Sequence, residues 1–258
     1  MRRNEPLSSS RSYDTGVPVA SPPFAALAGE AARLGLTLSA EQIALCERLA
    51  NELIQRNESV NLTAIVEPED IARKHFLDSF TACAVRRWTG RERVIDVGSG
   101  AGFPGLALRI AMPKTRVTLV ESVGKKVRFL EDMCALLGLT DVEIRNERAE
   151  ALAKERRDQY DVGTARAVGS IGQCSEYLLP FVRVGGDAIV WKGRVDAELP
   201  GAQKACASLG GEIASIVPTA SLGVGDVLPG RNLVVVRKIR ATPPRFPRTS
   251  AEARRRPW

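Results

Sequence analysis

The sequence predicts an α/β domain: a doubly wound, mostly parallel seven-stranded sheet preceded by a helical N-terminal region. Three observations carry this. From Arg93 onward, short β-branched apolar runs alternate with helical patterns over short connections, as parallel strands joined by crossover helices do. The first run ends on a glycine-rich turn, Asp96-Val97-Gly98-Ser99-Gly100-Ala101-Gly102-Phe103-Pro104-Gly105, that opens onto a helix. The last two runs, 211–217 and 232–239, have no helix between them, so a hairpin brings one antiparallel strand into the sheet.

The elements follow in order. Residues 1–22 are rich in Ser, Pro and Arg without an apolar period and are expected to be a disordered tail. A first helix is expected over Phe24 to Leu34. A second starts at Ser39, where Ser39 and Gln42 form a capping-box pattern, and Ile43, Cys46, Leu49, Ala50, Leu53 and Ile54 supply a packing face. A polar break is expected at Arg56 to Ser59, and Pro68 opens a further helix to about Val85. Strands are expected at 94–98, 117–122, 142–147, 160–165 and 187–192 in addition to the closing pair. Helices are expected near 104–112, 123–138, 149–157, 170–182 and 196–209. The organisation is thus a tail at 1–22, helices over 23–89, one α/β domain over 90–239 and a basic tail at 240–258.

Composition narrows the class. With 44% hydrophobic and 26% charged residues, whole-chain disorder is excluded. No apolar stretch approaches a membrane span, and no apolar segment follows the basic start, so neither a membrane association nor a secretory signal is expected. The five cysteines are scattered, without a CxxC pair, which argues against a structural zinc site or a disulfide framework and fits a reducing cytoplasm. The net charge of +7 is uneven: six arginines against Glu252 give 240–258 a charge of +5. That tail is either an electrostatic guide toward a polyanion or a solvated end.

The glycine turn is the strongest local signal. It sits at the carboxyl end of the first strand, where ligands bind in open α/β sheets, and side chains at Gly98, Gly100 or Gly102 would keep a ligand from the backbone. Gly100-Ala-Gly102-Phe-Pro-Gly105 also satisfies the dinucleotide fingerprint, so two cofactors compete. Asp96, which makes the motif D-x-G-x-G-x-G, tips the balance toward S-adenosylmethionine, whose methionine end is cationic and needs no phosphate cradle. Glu121, ending the next strand, is placed to accept ribose hydroxyls, a contact both cofactors share.

Five separated motifs then stand in order: N-L-T-A-I (61–65), K-H-F-L-D-S (74–79), V-I-D-V-G-S-G-A-G-F-P-G (94–105), G-K-K-V-R-F-L (124–130) and A-R-A-V (165–168). Together they resemble the small-subunit ribosomal RNA methyltransferase G family, also called glucose-inhibited division protein B, from about Leu36 to Ile239. The resemblance implies a Rossmann-like class I methyltransferase that moves a methyl group from S-adenosylmethionine to N7 of a guanine. That guanine lies in the decoding-centre loop of bacterial 16S rRNA, so the implied partner is the 30S subunit or its precursor, with no obligatory protein partner. Carried onto this chain, the family's cofactor pocket falls on Gly98, Phe103, Ala149, Glu150 and Arg166, beside Asp96, Gly100, Gly102 and Glu121. Ala149 is smaller than the residue the family often has there, and Phe103 stands where many members carry Leu.

The chemistry agrees with that implication. Guanine N7 already presents a lone pair, so the task is alignment rather than deprotonation. T-A-R-A-V after the fourth strand lacks the Asn/Asp-Pro-Pro-aromatic motif of exocyclic-amine enzymes, and Cys174, the candidate nucleophile for pyrimidine C5 chemistry, has no Pro before it and reads as a buried small residue. On the substrate side the candidates are Asn61, His75, Asp78, Lys126, Arg148 and Lys192. His75, the single histidine, either faces the active-site mouth with Asp78 or Ser79 orienting it, or makes an inter-helix hydrogen bond. Asn61 either reads a guanine edge or closes an Asx-turn. Lys125, Lys126 and Arg128 form either a phosphate-binding or a solvated face. Arg145, Arg148, Arg166 and Lys192 lie at strand carboxyl ends and are expected to ring one pocket as phosphate contacts. Trp191 is expected to pack in the sheet.

Overall fold

The computed structural model describes residues 20–258. Helix α1 (Pro22–Arg33) begins one residue after Ser21, whose N–H is held by the carboxylate of Glu47. Residues 20–22 therefore belong to the folded body, which corrects the expected tail; its remainder, 1–19, lies outside the described residues. Helix α2 (Ala40–Val60) carries the predicted capping box between Ser39 and Gln42. It runs through the break expected at Arg56 to Ser59. Arg56 is paired with Glu52 and Asp132, and Asn57 folds over the helix end, its Oδ1 accepting the N–H groups of Leu62 (2.7 Å) and Thr63 (2.9 Å). Polar side chains here complete the last turn rather than break it.

Pro68 opens the next helical run, which changes hand-width along its length: α3 (Pro68–Asp70), a π-helical stretch (Ile71–Leu77), α4 (Asp78–Phe80) and a 3-10 turn (Thr81–Ala84). The π turns take Ile71, His75, Asp78 and Ala82 off regular α-helical spacing. All four are nonetheless buried, because the run is covered on nearly every side.

Seven strands form one sheet: β1 (Arg93–Val97), β2 (Arg116–Val120), β3 (Val142–Arg145), β4 (Tyr160–Arg166), β5 (Val182–Lys192), β6 (Gly211–Pro218) and β7 (Asn232–Lys238), in the order β3-β2-β1-β4-β5-β7-β6. β1 to β5 are parallel, and β7 enters antiparallel between β5 and β6. The direction of winding reverses between β1 and β4, and the crevice outside that switch point is where an open α/β sheet binds ligands. The crossovers are α5 (Gly105–Ala111), α6 (Gly124–Leu136), α7 (Ala149–Leu152, shorter than the pattern suggested), α8 (Ile171–Leu178) and α9 (Leu199–Leu209).

One sheet face shares a single core with the N-terminal helices, joining Phe24, Leu49 and Phe76 to Leu106 and Leu119. The junction is also polar: Gln42 donates to the carbonyls of Ile110 (2.7 Å) and Ala111 (3.0 Å), satisfying the end of α5. The other face is covered by α7, α8 and α9. The basic segment 240–258 is folded as well, against expectation. Phe246 is buried, and α10 (Ser250–Arg255) has its own capping box between Thr249 and Glu252. Among the described residues no helix is long and apolar enough to cross a membrane.

Candidate active site

Two cavities open at the carboxyl edge of the sheet and meet at Gly98. The smaller, about 210 Å³, is a slot bounded by Glu121 at the end of β2, Arg148, Ala149 and Glu150 at the start of α7, and Gln173 and Tyr177 on α8. The larger, about 500 Å³, is a cleft under the 68–84 run, floored by Ser99, Gly100 and Phe103 and walled by His75, Arg166 and Trp191.

The loop between them is shaped by backbone geometry. Gly98, Gly100 and Gly102 all have positive φ (73°, 57° and 93°), which side chains disfavour. A Cβ on Gly98 would come within 2.8 Å of Val168, whereas one on Gly102 would strike the buried Leu106 at 2.5 Å. Gly102 thus serves internal packing rather than ligand approach. Asp96 also lies beneath the loop and lines neither cavity. Its Oδ1 accepts from the Thr164 hydroxyl (2.8 Å) and its Oδ2 from the Gly105 N–H (3.1 Å), fastening the loop to β4 and α5. Burial pushes its carboxyl up to about 6, although those bonds favour the ionised form. Glu121 closes the slot side: its two oxygens accept the N–H groups of Gly100 (3.0 Å) and Val123 (2.8 Å).

The cleft is organised by Arg166. Its guanidinium donates to the carbonyl of Lys74 (3.0 Å), to Asp78 Oδ2 (2.9 Å) and to His75 Nδ1 (3.0 Å). Because Arg166 can only donate, Nδ1 must accept, and neutral His75 therefore carries its proton on Nε2. That N–H points at the Thr63 hydroxyl oxygen, 3.0 Å away. Burial, with Arg166 and Arg231 adding to it, lowers the His75 pKa to about 3, so the ring stays neutral. It stacks on Phe103 with centroids 4.7 Å apart. The expected partners differ in role. Ser79 bonds the His75 carbonyl rather than the ring, and Asp78 acts on the ring through Arg166. For Asp78 itself, burial raises the carboxyl while Arg166 and Arg231 oppose the rise.

Thr63 Oγ1 also accepts the N–H of Ile65 (3.0 Å). With both acceptor positions taken, its own proton is left to point into the cleft it lines. Thr63 was not singled out among the sequence candidates, nor was Arg231, which lines the same cleft 3.8 Å from Asp78.

The remaining candidates divide. Lys126 lines the cleft, as does Lys192, whose ammonium is paired with Glu198 (2.7 Å) and bonded to the Gly169 carbonyl. Arg148 lines the slot instead. Arg145 lines neither, because Glu143, Glu147 and Glu155 surround it, so the expected ring of four cations around one pocket does not form. Asn61 is an exposed left-handed cap at the end of α2, outside both cavities, and the turn bonds expected of it come from Asn57. Phe103 lines the cleft and not the slot. Trp191 is buried with its indole N–H on the Asp78 carbonyl (2.7 Å), and burial pushes the Cys174 thiol up to about 12, which leaves it inert.

This sheet order, glycine turn and acid after β2 define a Rossmann-like class I methyltransferase fold. Solved structures agree on the architecture. A S-adenosylmethionine-dependent methyltransferase from Aquifex aeolicus is 17% identical with a TM-score of 0.50, covering 67% of this chain and 94% of that one. The cyclase SpnF is 16% identical with a TM-score of 0.54, covering 79% and 98%. A cyclase on this fold shows that architecture alone does not dictate the reaction. The sequence relationship is closer. The family model described as rRNA small subunit methyltransferase G matches residues 42–222. Proteins named Ribosomal RNA small subunit methyltransferase G from Roseiflexus castenholzii and Chloroflexus aggregans are each 43% identical, over 86% of this chain and 94% and 93% of theirs. The chain belongs to the rRNA small subunit methyltransferase G family.

Proposed function

We propose that this protein transfers a methyl group from S-adenosylmethionine to N7 of a guanine in the decoding-centre loop of 16S rRNA, on the 30S subunit or its precursor. The observation that carries the reading is the shared boundary at Gly98: a nucleoside-sized slot and a cation-lined cleft open onto one residue that has no side chain. The residues fit the cofactor. A Cβ would fill the cradle at Gly98, Glu121 turns a carboxylate into the slot where ribose hydroxyls need acceptors, and Ala149 with Glu150 bounds its far end. When bound, S-adenosylmethionine supplies an electrophilic methyl group.

The protein's own part is alignment. N7 needs no base, and the cleft offers a neutral His75 whose Nδ1 lone pair is already occupied by Arg166. Holding two reactants in attack geometry is sufficient for a large acceleration. The Thr63 hydroxyl proton suits the guanine O6 acceptor, which adenine lacks at that position. Lys74, Lys126 and Arg231 at the cleft supply positive charge for the phosphates of the target loop. The test is methyl transfer from labelled S-adenosylmethionine to intact 30S subunits and to deproteinised 16S rRNA, followed by nucleoside identification and mapping. Label in 7-methylguanosine of the decoding-centre loop is expected; cofactor binding without incorporation into either RNA would refute the assignment.

A further inference from the structure

We propose that the segment 240–258 is a supporting wall behind Glu150, outside the lining of the slot, and that Ser250 is a positioning residue for Glu150. Cofactor binding then depends on this segment being docked. The inference rests on the slot being the nucleoside end of the cofactor site.

Docking begins at Glu176 of α8, which is 1% exposed. A carboxylate so buried needs partners, and every donor bonded to it comes from the segment. Arg248 grips it with Nε on Oε1 (2.9 Å) and Nη2 on Oε2 (2.6 Å), the Arg248 N–H adds a third bond (2.7 Å), and the Trp258 indole N–H a fourth (2.6 Å). Two glycines form the socket for Trp258. A Cβ on Gly172 would lie 2.8 Å from the tryptophan Cβ, and one on Gly201 would lie 2.9 Å from its backbone. Arg157 secures the approach by donating to the carbonyls of Thr242 (2.7 Å) and Phe246 (2.8 Å).

So held, α10 brings its first residue against Glu150, which lines the slot. The Ser250 hydroxyl donates to Glu150 Oε1 at 2.5 Å. One carboxylate oxygen is thereby tied to the wall, and the side chain keeps one orientation at the end of the slot. Gln173 stands between the two regions, lining the slot and also the pocket beneath the segment. The arginines that gave this segment its basic reading are thus divided: Arg248 is neutralised by Glu176, while Arg254, Arg255 and Arg256 stay exposed.

The experiment titrates S-adenosylhomocysteine into the full chain by calorimetry, with limited trypsinolysis reporting whether the segment is docked. Ser250→Ala is expected to weaken binding roughly five- to tenfold while leaving trypsin resistance and the KM for RNA unchanged, and Ser250→Thr to restore it. Glu176→Gln is expected to release the segment, making the bond after Arg248 cleavable by trypsin, and to weaken binding at least as much. Wild-type affinity in Ser250→Ala with the segment still docked would overturn the proposal. So would an effect of these variants confined to the salt dependence of RNA binding, which would make the segment an RNA handle. If wild-type protein binds the ligand but labels no rRNA, the proposed acceptor fails and the wall stands. If it binds no ligand, the slot reading fails and this inference with it.

Discussion

Replacing Asp96 by Asn tests whether the glycine loop rests on a carboxylate that destabilises the fold. Asp96 is fully buried, and burial raises its pKa to about 6 from an ordinary value near 3.8, against the opposing bonds from Thr164, Gly105 and Ser99. A folded-state pKa that is raised means the native protein binds this proton more tightly than the unfolded chain does. The group's contribution is therefore fully present below about pH 4 and is lost as pH rises through about 6. The difference is worth about 3 kcal/mol at 1.4 kcal/mol per pH unit. Asparagine keeps the shape: its carbonyl can accept the Gly105 N–H and its amide can donate to Thr164. Asp96→Asn should consequently be more stable than wild type by up to about 3 kcal/mol at pH 7.5, or roughly 6–12 °C in melting temperature. The advantage should vanish near pH 4. Urea denaturation of both proteins in steps from pH 4 to 8 measures it. A stability gap that does not change with pH, or a variant weaker than wild type throughout, would refute the argument. Stability sacrificed beneath a binding loop is the pattern expected of a functional residue.

Other outcomes follow from the same geometry. Thr63→Val removes the hydroxyl donor proposed for the guanine O6 and should lower kcat/KM for the RNA about tenfold, with S-adenosylmethionine affinity unchanged and Thr63→Ser restoring the rate; equal effects on both ligands would contradict the hydrogen-bond accounting. Gly102→Ala combines a left-handed backbone with a clash into Leu106 and should cost about 2–5 kcal/mol. Gly100→Ala meets only the Gly98 carbonyl at 3.8 Å and should cost about 1–2 kcal/mol, so similar melting temperatures for the two would show that the loop yields around Leu106. With the His75 pKa near 3, single-turnover methyl transfer should show no His75 ionisation between pH 6 and 8. An inflection near 6.5 that disappears in His75→Gln would mean the imidazole is reached by solvent.

Much of this fold was legible because strand ends, crossover helices and the glycine turn each leave a local mark. Ser39 with Gln42 and Pro68 announced two helix starts for the same reason: capping and proline geometry act over a few residues. What escaped depended on partners distant in sequence. Arg145 was read as a phosphate contact, but Glu143 and Glu147 beside it and Glu155 ten residues on hold its charge. Arg231 was missed because the search followed the carboxyl ends of strands. β7 runs antiparallel, so the residue before its start lies on that same rim, and the hairpin already inferred was the signal. By composition, segment 240–258 read as either a guide toward a polyanion or a solvated end. Yet Phe246 and Trp258 were apolar anchors in plain view, and Thr249 with Glu252 repeated the capping-box spacing that served at Ser39. Asp96 was placed correctly at the strand end, but whether a carboxylate faces a ligand or props the loop is decided by Thr164, 68 residues away.

The Arg166 network has a consequence in time as well as in space. Its bonds join residues 88 to 92 positions apart, and Asp78 meets Arg231 still later in the chain. During synthesis the helices that roof the cleft emerge first, with Asp78 still without the arginines that pair with it. Until β4 and then the start of β7 have been made, the cleft has its roof and floor but lacks Arg166 and Arg231. A nascent chain therefore completes the cleft only after β7 has begun, and fragments released earlier lack Arg231.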